Sequence, residues 1–115
     1  MQLPTIAAIL FAIAAMGGLF LATRHFIGKS LPRPVALAHG GLAATAIICL
    51  IVAWFNGVLQ ARSTIALVLF LAAAMGGFFL FYHDLTGKTL PSKVVIAHAL
   101  AAITAFLLLV STLIY

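Results

Sequence analysis

The sequence predicts an all-α membrane protein: a four-transmembrane-helix bundle built from two tandem two-helix repeats. Three observations predict it, namely the composition, four long apolar runs and an internal repeat. Of the 115 residues, 66% are hydrophobic and only seven are Lys, Arg, Asp or Glu, which is more apolar surface than a soluble domain of this size can bury. The basic residues stand at the ends of apolar runs rather than in a patch, so the net charge of +5 does not indicate a nucleic-acid partner.

The four apolar runs each predict one membrane-spanning helix. In order, they cover residues 3–23, 34–55, 64–82 and 94–115. Each has about 20 residues, the length that an α-helix needs to cross about 30 Å of hydrocarbon. The runs do not alternate polar and apolar positions as strands would, and helices satisfy their own backbone groups in lipid. The connections are short; the first and third contain Gly and Pro, and the middle one has Asn56-Gly57 alone. Short connections make sequence neighbours pack antiparallel, which predicts a compact bundle.

The repeat is carried by a motif that occurs twice, 59 residues apart. Gly-Lys-Ser-Leu-Pro at residues 28–32 corresponds to Gly-Lys-Thr-Leu-Pro at residues 87–91, and a histidine follows each proline by seven residues. The same offset relates two Met-Gly-Gly segments, at residues 16–18 and 75–77. One register held over about thirty positions indicates a tandem duplication. Residues 1–57 are the first predicted repeat and residues 58–115 the second, and together they form one membrane domain.

The basic residues predict the orientation. The first and third connections carry five of the six: Arg24, Lys29, Arg33, Lys88 and Lys93. The positive-inside rule therefore places these connections in the cytoplasm and both termini on the outer, periplasmic side of a bacterial inner membrane. Because each repeat spans twice, the halves share one orientation, and we expect a pseudo-two-fold axis along the membrane normal.

Two histidines lie inside predicted spans. His39 and His98 are equivalent under the repeat, and an ionisable residue within a span is costly and by default a functional candidate. Glycine pairs on the first and third helices lie at a similar depth: Gly17, Gly18, Gly76 and Gly77. A pair of glycines in a helix contributes no side-chain packing, so it is favoured where another group approaches the backbone closely. A flat macrocycle would fit in the layer of the bundle that holds these histidines and glycines, with the two imidazoles as axial ligands of its iron. His25 and His83 are expected in the headgroup region.

This pattern resembles the four-helix haem core of the membrane b-type cytochromes. In that family, paired histidines on the second and fourth helices ligate haem b, and glycines on the first and third helices admit the ring. The resemblance implies that His39 and His98 are the metal ligands and that the four glycines pack against haem. It also implies partners for the haem propionates: Arg24, Lys29, Arg33, Lys88 and Lys93. Larger cytochromes of this kind usually carry a second histidine pair, whereas this chain has one.

The implied function is electron transfer rather than catalysis, with a quinone or a membrane redox complex as partner and a homo-oligomer as a further expectation. Two other interpretations stay open. In a cofactor-free structural or assembly subunit, each histidine hydrogen-bonds a backbone carbonyl or a Ser or Thr of a neighbouring helix, and the glycines serve close helix packing. In a small transporter, His39 and His98 carry protons, because imidazole titrates near neutral pH.

Overall fold

The computed structural model describes residues 1–115 as four α-helices and no strands. The helices are α1 (Leu3–Phe26), α2 (Arg33–Phe55), α3 (Ala61–Leu85) and α4 (Ser92–Ile114). All four are long and apolar enough to cross a membrane, and the molecule measures 42 Å along its longest axis. The prediction of an all-α fold is confirmed. The long axis exceeds the roughly 30 Å of bilayer hydrocarbon, and with four apolar helices the chain is a multi-pass membrane protein.

The helices are longer than the predicted spans. The first and third helices extend to Phe26 and Leu85, beyond the predicted ends at residues 23 and 82. The connections between the helices are therefore shorter than predicted and cover residues 27–32, 56–60 and 86–91. Arg24 and Asp84, predicted to lie in connections, therefore belong to the last turns of helices. The physical reason is that a helix continues past the end of its apolar segment until a residue that leaves the helical conformation ends it. Polar residues alone do not end a helix.

Glycines stop the first three helices. Gly28, Gly57 and Gly87 have φ of +75°, +72° and +71°, the left-handed conformation that side chains with a Cβ disfavour. The amide of Gly28 donates to the carbonyl of His25, and the amide of Lys29 donates to the carbonyl of Arg24. The same pair of bonds follows the other two glycines. This is the Schellman arrangement, which satisfies carbonyls left free at a helix end and reverses the chain within a few residues.

The bundle is packed tightly only in one half. We call the end that carries connections 27–32 and 86–91 the basic end, and the other end the far end. Eleven buried apolar residues form the core near the far end: Ala7, Ala8, Phe11, Ala46, Ile47, Leu50, Ala66, Leu67, Phe70, Ala105 and Leu109. In its midst, the rings of Phe11 and Phe70 stack with centroids 3.6 Å apart. Towards the basic end, Val95 is the only buried residue beyond the level of Ala14 and Ala73.

Helix neighbours set the geometry of the site. The closest packing is within the hairpins α1–α2 and α3–α4, with smaller contacts of α1 on α4 and of α2 on α3. Hence α1 and α3 are diagonal to each other, as are α2 and α4. Large apolar side chains cover the outside, such as Leu19, Phe55 and Phe78, each more than 70% exposed. Since the helices present apolar rather than polar surface outwards, the surrounding medium they fit is the hydrocarbon of a lipid bilayer.

Candidate functional site

The fold brings His39 and His98 together across the bundle. Their rings come from the diagonal helices α2 and α4, and the ring centroids are 6.2 Å apart with planes at 84°. Each histidine is the seventh residue of its helix, about 9 Å from the helix start at 1.5 Å per residue. Both side chains are partly buried. The pair therefore lies where the tightly packed half of the bundle meets the loosely packed half.

One nitrogen of each imidazole is held by a backbone carbonyl. Nδ1 of His39 lies 2.7 Å from the carbonyl oxygen of Ala14, and Nδ1 of His98 lies 2.7 Å from that of Ala73. A carbonyl oxygen only accepts, so Nδ1 carries the hydrogen and donates it. In a neutral imidazole this leaves Nε2 unprotonated, with its lone pair free to bind a metal or accept a proton. The hydrogen bond thus fixes both the ring orientation and the tautomer.

The glycine pairs make room for these imidazoles. A methyl group placed on Gly18 would lie 2.8 Å from Cε1 of His39, and one placed on Gly77 would lie 3.1 Å from Cε1 of His98. At Gly17 and Gly76 the nearest atoms are the histidine Cβ atoms, at 3.5 and 3.6 Å. The second glycine of each pair is therefore the one that admits the ring. That these glycines also pack against a haem ring stays a prediction.

The position of the glycines explains how the carbonyl becomes accessible. In an α-helix the carbonyl of residue i points along the axis towards residues i+3 and i+4. For Ala14 these residues are Gly17 and Gly18, and for Ala73 they are Gly76 and Gly77. Without side chains at both positions, an imidazole from the neighbouring helix reaches an oxygen that already accepts a helical hydrogen bond. The sequence pattern identified the glycines and histidines, but not the alanine carbonyls that join them.

The predicted propionate partners are spread over the basic end rather than gathered at the histidines. Arg24 donates from Nε to the carbonyl of Ser30 at 2.8 Å, which ties the first connection to α1. Lys93 lines a groove of about 360 Å³ that also contains His98 and Gly76. The remaining three, Lys29, Arg33 and Lys88, line a second groove at the bundle end.

The other two histidines do not join the central pair. Nδ1 of His83 donates to the carbonyl of Phe79, one turn earlier in its own helix, at 3.0 Å. Nε2 of His25 lies 3.0 Å from Oγ of Ser92, which links α1 to α4. The 59-residue offset carries His25 onto Asp84, which lies 4.0 Å from Arg33 in the corresponding link between α3 and α2. Sequence reasoning missed both links, although the offset also relates Arg33 to Ser92.

The ligand set available to a metal is two imidazoles. No group of three or more His, Cys, Asp or Glu side chains comes together anywhere in the molecule. Two imidazoles do not fill a tetrahedral or octahedral site, whereas they suffice as the axial pair of a metal whose other four ligands come from a macrocycle. The two rings lie edge to face, with centroids 6.2 Å apart and planes at 84°.

Comparison with known proteins gives no further guide to function. No family model, no curated protein and no solved structure matches the chain.

Proposed function

We propose that this chain is a small b-type cytochrome-like electron-transfer protein of a membrane, with one haem b ligated by His39 and His98. The single observation that carries the proposal is the pair of imidazoles, each with Nδ1 held by a carbonyl and the rings 6.2 Å apart. Metal-ligating histidines almost always donate their other ring N–H to such a partner, which orients the ring and raises the basicity of the ligating nitrogen.

Haem supplies a reversible one-electron iron couple when it is bound. His39 and His98 would hold it through their Nε2 atoms, and two such ligands would leave no position for oxygen chemistry. The chain also contributes a loosely packed half next to the histidines, where Val95 is the only buried residue beyond the level of Ala14 and Ala73. Of the five proposed propionate partners, Lys93 and Arg33 are nearest to the histidines along the chain, five residues before His98 and six before His39.

A parallel pseudo-two-fold between two tandem repeats underlies this proposal. Supporting contacts recur at the same 59-residue offset, including the two histidine–carbonyl bonds, both at 2.7 Å. Phe11 and Phe70, which stack on each other, are equivalent positions, as are His39 and His98. Such an axis along the membrane normal would put both histidines at one depth. The proposed setting is a bacterial inner membrane with the basic end in the cytoplasm and both termini in the periplasm.

The test is an absorption spectrum of the detergent-purified protein, oxidised and then reduced with dithionite. Bis-histidine haem gives a Soret band that shifts on reduction, with sharp low-spin α and β bands. His39→Gln and His98→Gln should each abolish these bands, while His25→Gln and His83→Gln, at the bundle end, should retain them. A colourless protein after expression with a haem precursor would refute the haem proposal.

A second candidate function is a cofactor-free structural or assembly subunit of a membrane complex. It is favoured by the same histidine bonds, because each already joins two helices, and an interhelical bond of this kind contributes about 0.6–2 kcal/mol in a membrane. In that case, His39→Gln would leave a colourless protein that is stable with its partner and accumulates poorly without it. A quinone or a membrane redox complex is the partner that we propose for the cytochrome.

A further inference from the structure

A polar groove lies between the two connections at the basic end. Its volume is about 460 Å³, and only two of its ten lining residues are hydrophobic. Lys29 and Arg33 come from the first half of the chain and Lys88 from the second, so both copies of the Gly-Lys-Ser/Thr-Leu-Pro motif form the walls. The only acidic group is Asp84, which leaves an excess of two positive charges without counting His25.

The groove is rich in hydrogen-bond donors without protein partners. The hydroxyls of Ser30 and Thr89 make no hydrogen bond within the protein, unlike the hydroxyls of Thr23 and Thr86 nearby. The backbone amides of residues 30, 31, 89 and 90 likewise have no backbone acceptor. Amides, hydroxyls and cations without protein acceptors are the chemical complement of a phosphate group, and the residues that carry them here all line the groove.

Contacts around the groove hold its walls in place. The carbonyl of Ser30 accepts the Arg24 Nε hydrogen bond, and the links His25–Ser92 and Arg33–Asp84 join the two hairpins. These contacts fix the backbone of the first connection and the spacing of the two hairpins before a ligand arrives, which lowers the entropic cost of binding.

We propose that this groove binds the headgroup of an anionic phospholipid, and that its preferred ligand is a headgroup with two phosphates joined by glycerol, as in cardiolipin. Each motif copy supplies one lysine, one hydroxyl and two free amides, which is one phosphate site per copy. The groove lies at the ends of helices long and apolar enough to cross a membrane, so in a bilayer it would lie close to the lipid phosphates. Basic pockets between transmembrane helices bind such headgroups.

The lipid site does not depend on haem. Lys29 and Lys88 lie ten residues before His39 and His98, in the connections. If both proposals hold, Lys29 and Lys88 serve lipid phosphates, and Lys93, which lies outside the groove, is left to the propionates.

The experiment is native mass spectrometry of the detergent-purified protein titrated with cardiolipin, phosphatidylglycerol or phosphatidylcholine. We expect one bound cardiolipin per chain and affinity falling in that order. Lys88→Gln should weaken cardiolipin binding about fivefold and the Lys29→Gln/Lys88→Gln double variant about thirtyfold, from about 1 kcal/mol per lysine. Lys93→Gln is the matched control, because it removes the same charge at the same end but outside the groove; its affinity should stay within about twofold.

Several results would overturn the proposal. Equal losses for Lys88→Gln and Lys93→Gln would show only general attraction to an anionic surface, and equal binding of all three lipids would exclude a phosphate-specific groove. Displacement of bound lipid by millimolar glycerol phosphate would identify a soluble phosphate as the ligand instead. Ser30→Ala/Thr89→Val, which keeps every charge, should also weaken cardiolipin binding, and unchanged helical circular dichroism would show that the variants fold. Absorption spectra of the same samples report haem separately, so either proposal can fail alone.

Discussion

Gly18→Ala tests whether the glycine pair exists to admit the histidine. The new methyl group would lie 2.8 Å from Cε1 of His39, and the ring must retreat by about 0.6 Å to restore an ordinary contact of 3.4 Å. That ring is held by a 2.7 Å hydrogen bond from Nδ1 to the Ala14 carbonyl, so the retreat lengthens or breaks this bond. We therefore expect the His39 contact between α1 and α2 to be disturbed and the His98 contact between α3 and α4 to stay intact.

The expected change in the free energy of unfolding is the sum of opposing contributions. Losing the interhelical bond costs about 0.6–2 kcal/mol, and displacing the ring adds packing loss in the hairpin. Replacing a helical glycine by alanine gains up to about 1 kcal/mol in helix propensity. Gly17→Ala is the matched control, since its methyl group would meet His39 Cβ at an ordinary 3.5 Å and receives the same propensity gain. We therefore expect Gly18→Ala to be less stable than Gly17→Ala by about 1–2 kcal/mol.

The assay is unfolding of both variants in mixed micelles with increasing SDS, followed by circular dichroism. If haem is bound as proposed, the α band should also shift or broaden for Gly18→Ala alone, because the His39 ring moves. The pair Gly77→Ala and Gly76→Ala should repeat the result more weakly, with the methyl groups at 3.1 and 3.6 Å from His98. Equal stability of Gly17→Ala and Gly18→Ala would refute the reasoning, since it would mean that the absent Cβ at Gly18 plays no part in seating the imidazole.

Three further changes test the remaining framework. Phe11→Ala should destabilise the far half by more than about 1 kcal/mol, because it removes the stacked partner of Phe70 and leaves a void, and SDS unfolding should show the loss whether or not haem is bound. Gly28→Ala should cost about 1–2 kcal/mol, since φ is +75° there, whereas the helical, uncrowded Gly41→Ala should be neutral or stabilising; the opposite order would contradict the proposed helix stop. Arg62→Gln removes a 2.8 Å bond that joins α3 to α4 and should raise amide hydrogen exchange at the end of α4, with no change at the basic end.

Local features of the sequence determine the helices. Four apolar runs of about 20 residues leave the helix as the only structure that satisfies backbone groups in lipid, so the number and order of elements follow without tertiary information. The helix stops are equally local, because Gly28, Gly57 and Gly87 adopt a left-handed φ that other residues disfavour. The predicted bounds fell short by one to three residues at five helix ends, because hydropathy marks the apolar segment and not the place where the backbone turns.

The candidate site was predictable in part. The 59-residue repeat singled out His39, His98 and the two glycine pairs, and all of them meet in the structure. The carbonyls of Ala14 and Ala73 carry no such signal, since every residue has a carbonyl. Their role depends on which faces of two helices meet, and that rotation is set by packing over the whole interface.

Contacts between the halves were decided only by the tertiary structure. The stacking of Phe11 on Phe70 and the links His25–Ser92 and Arg33–Asp84 join residues far apart in sequence. A repeat shows which positions are equivalent, but it does not show which positions touch across an axis. The distance between His39 and His98 belongs to this class, since it is fixed by how closely two hairpins pack around their shared core. Composition and spacing indicated that two histidines lie inside helices able to cross a membrane, and the packing of the hairpins decided that their ring centroids lie 6.2 Å apart.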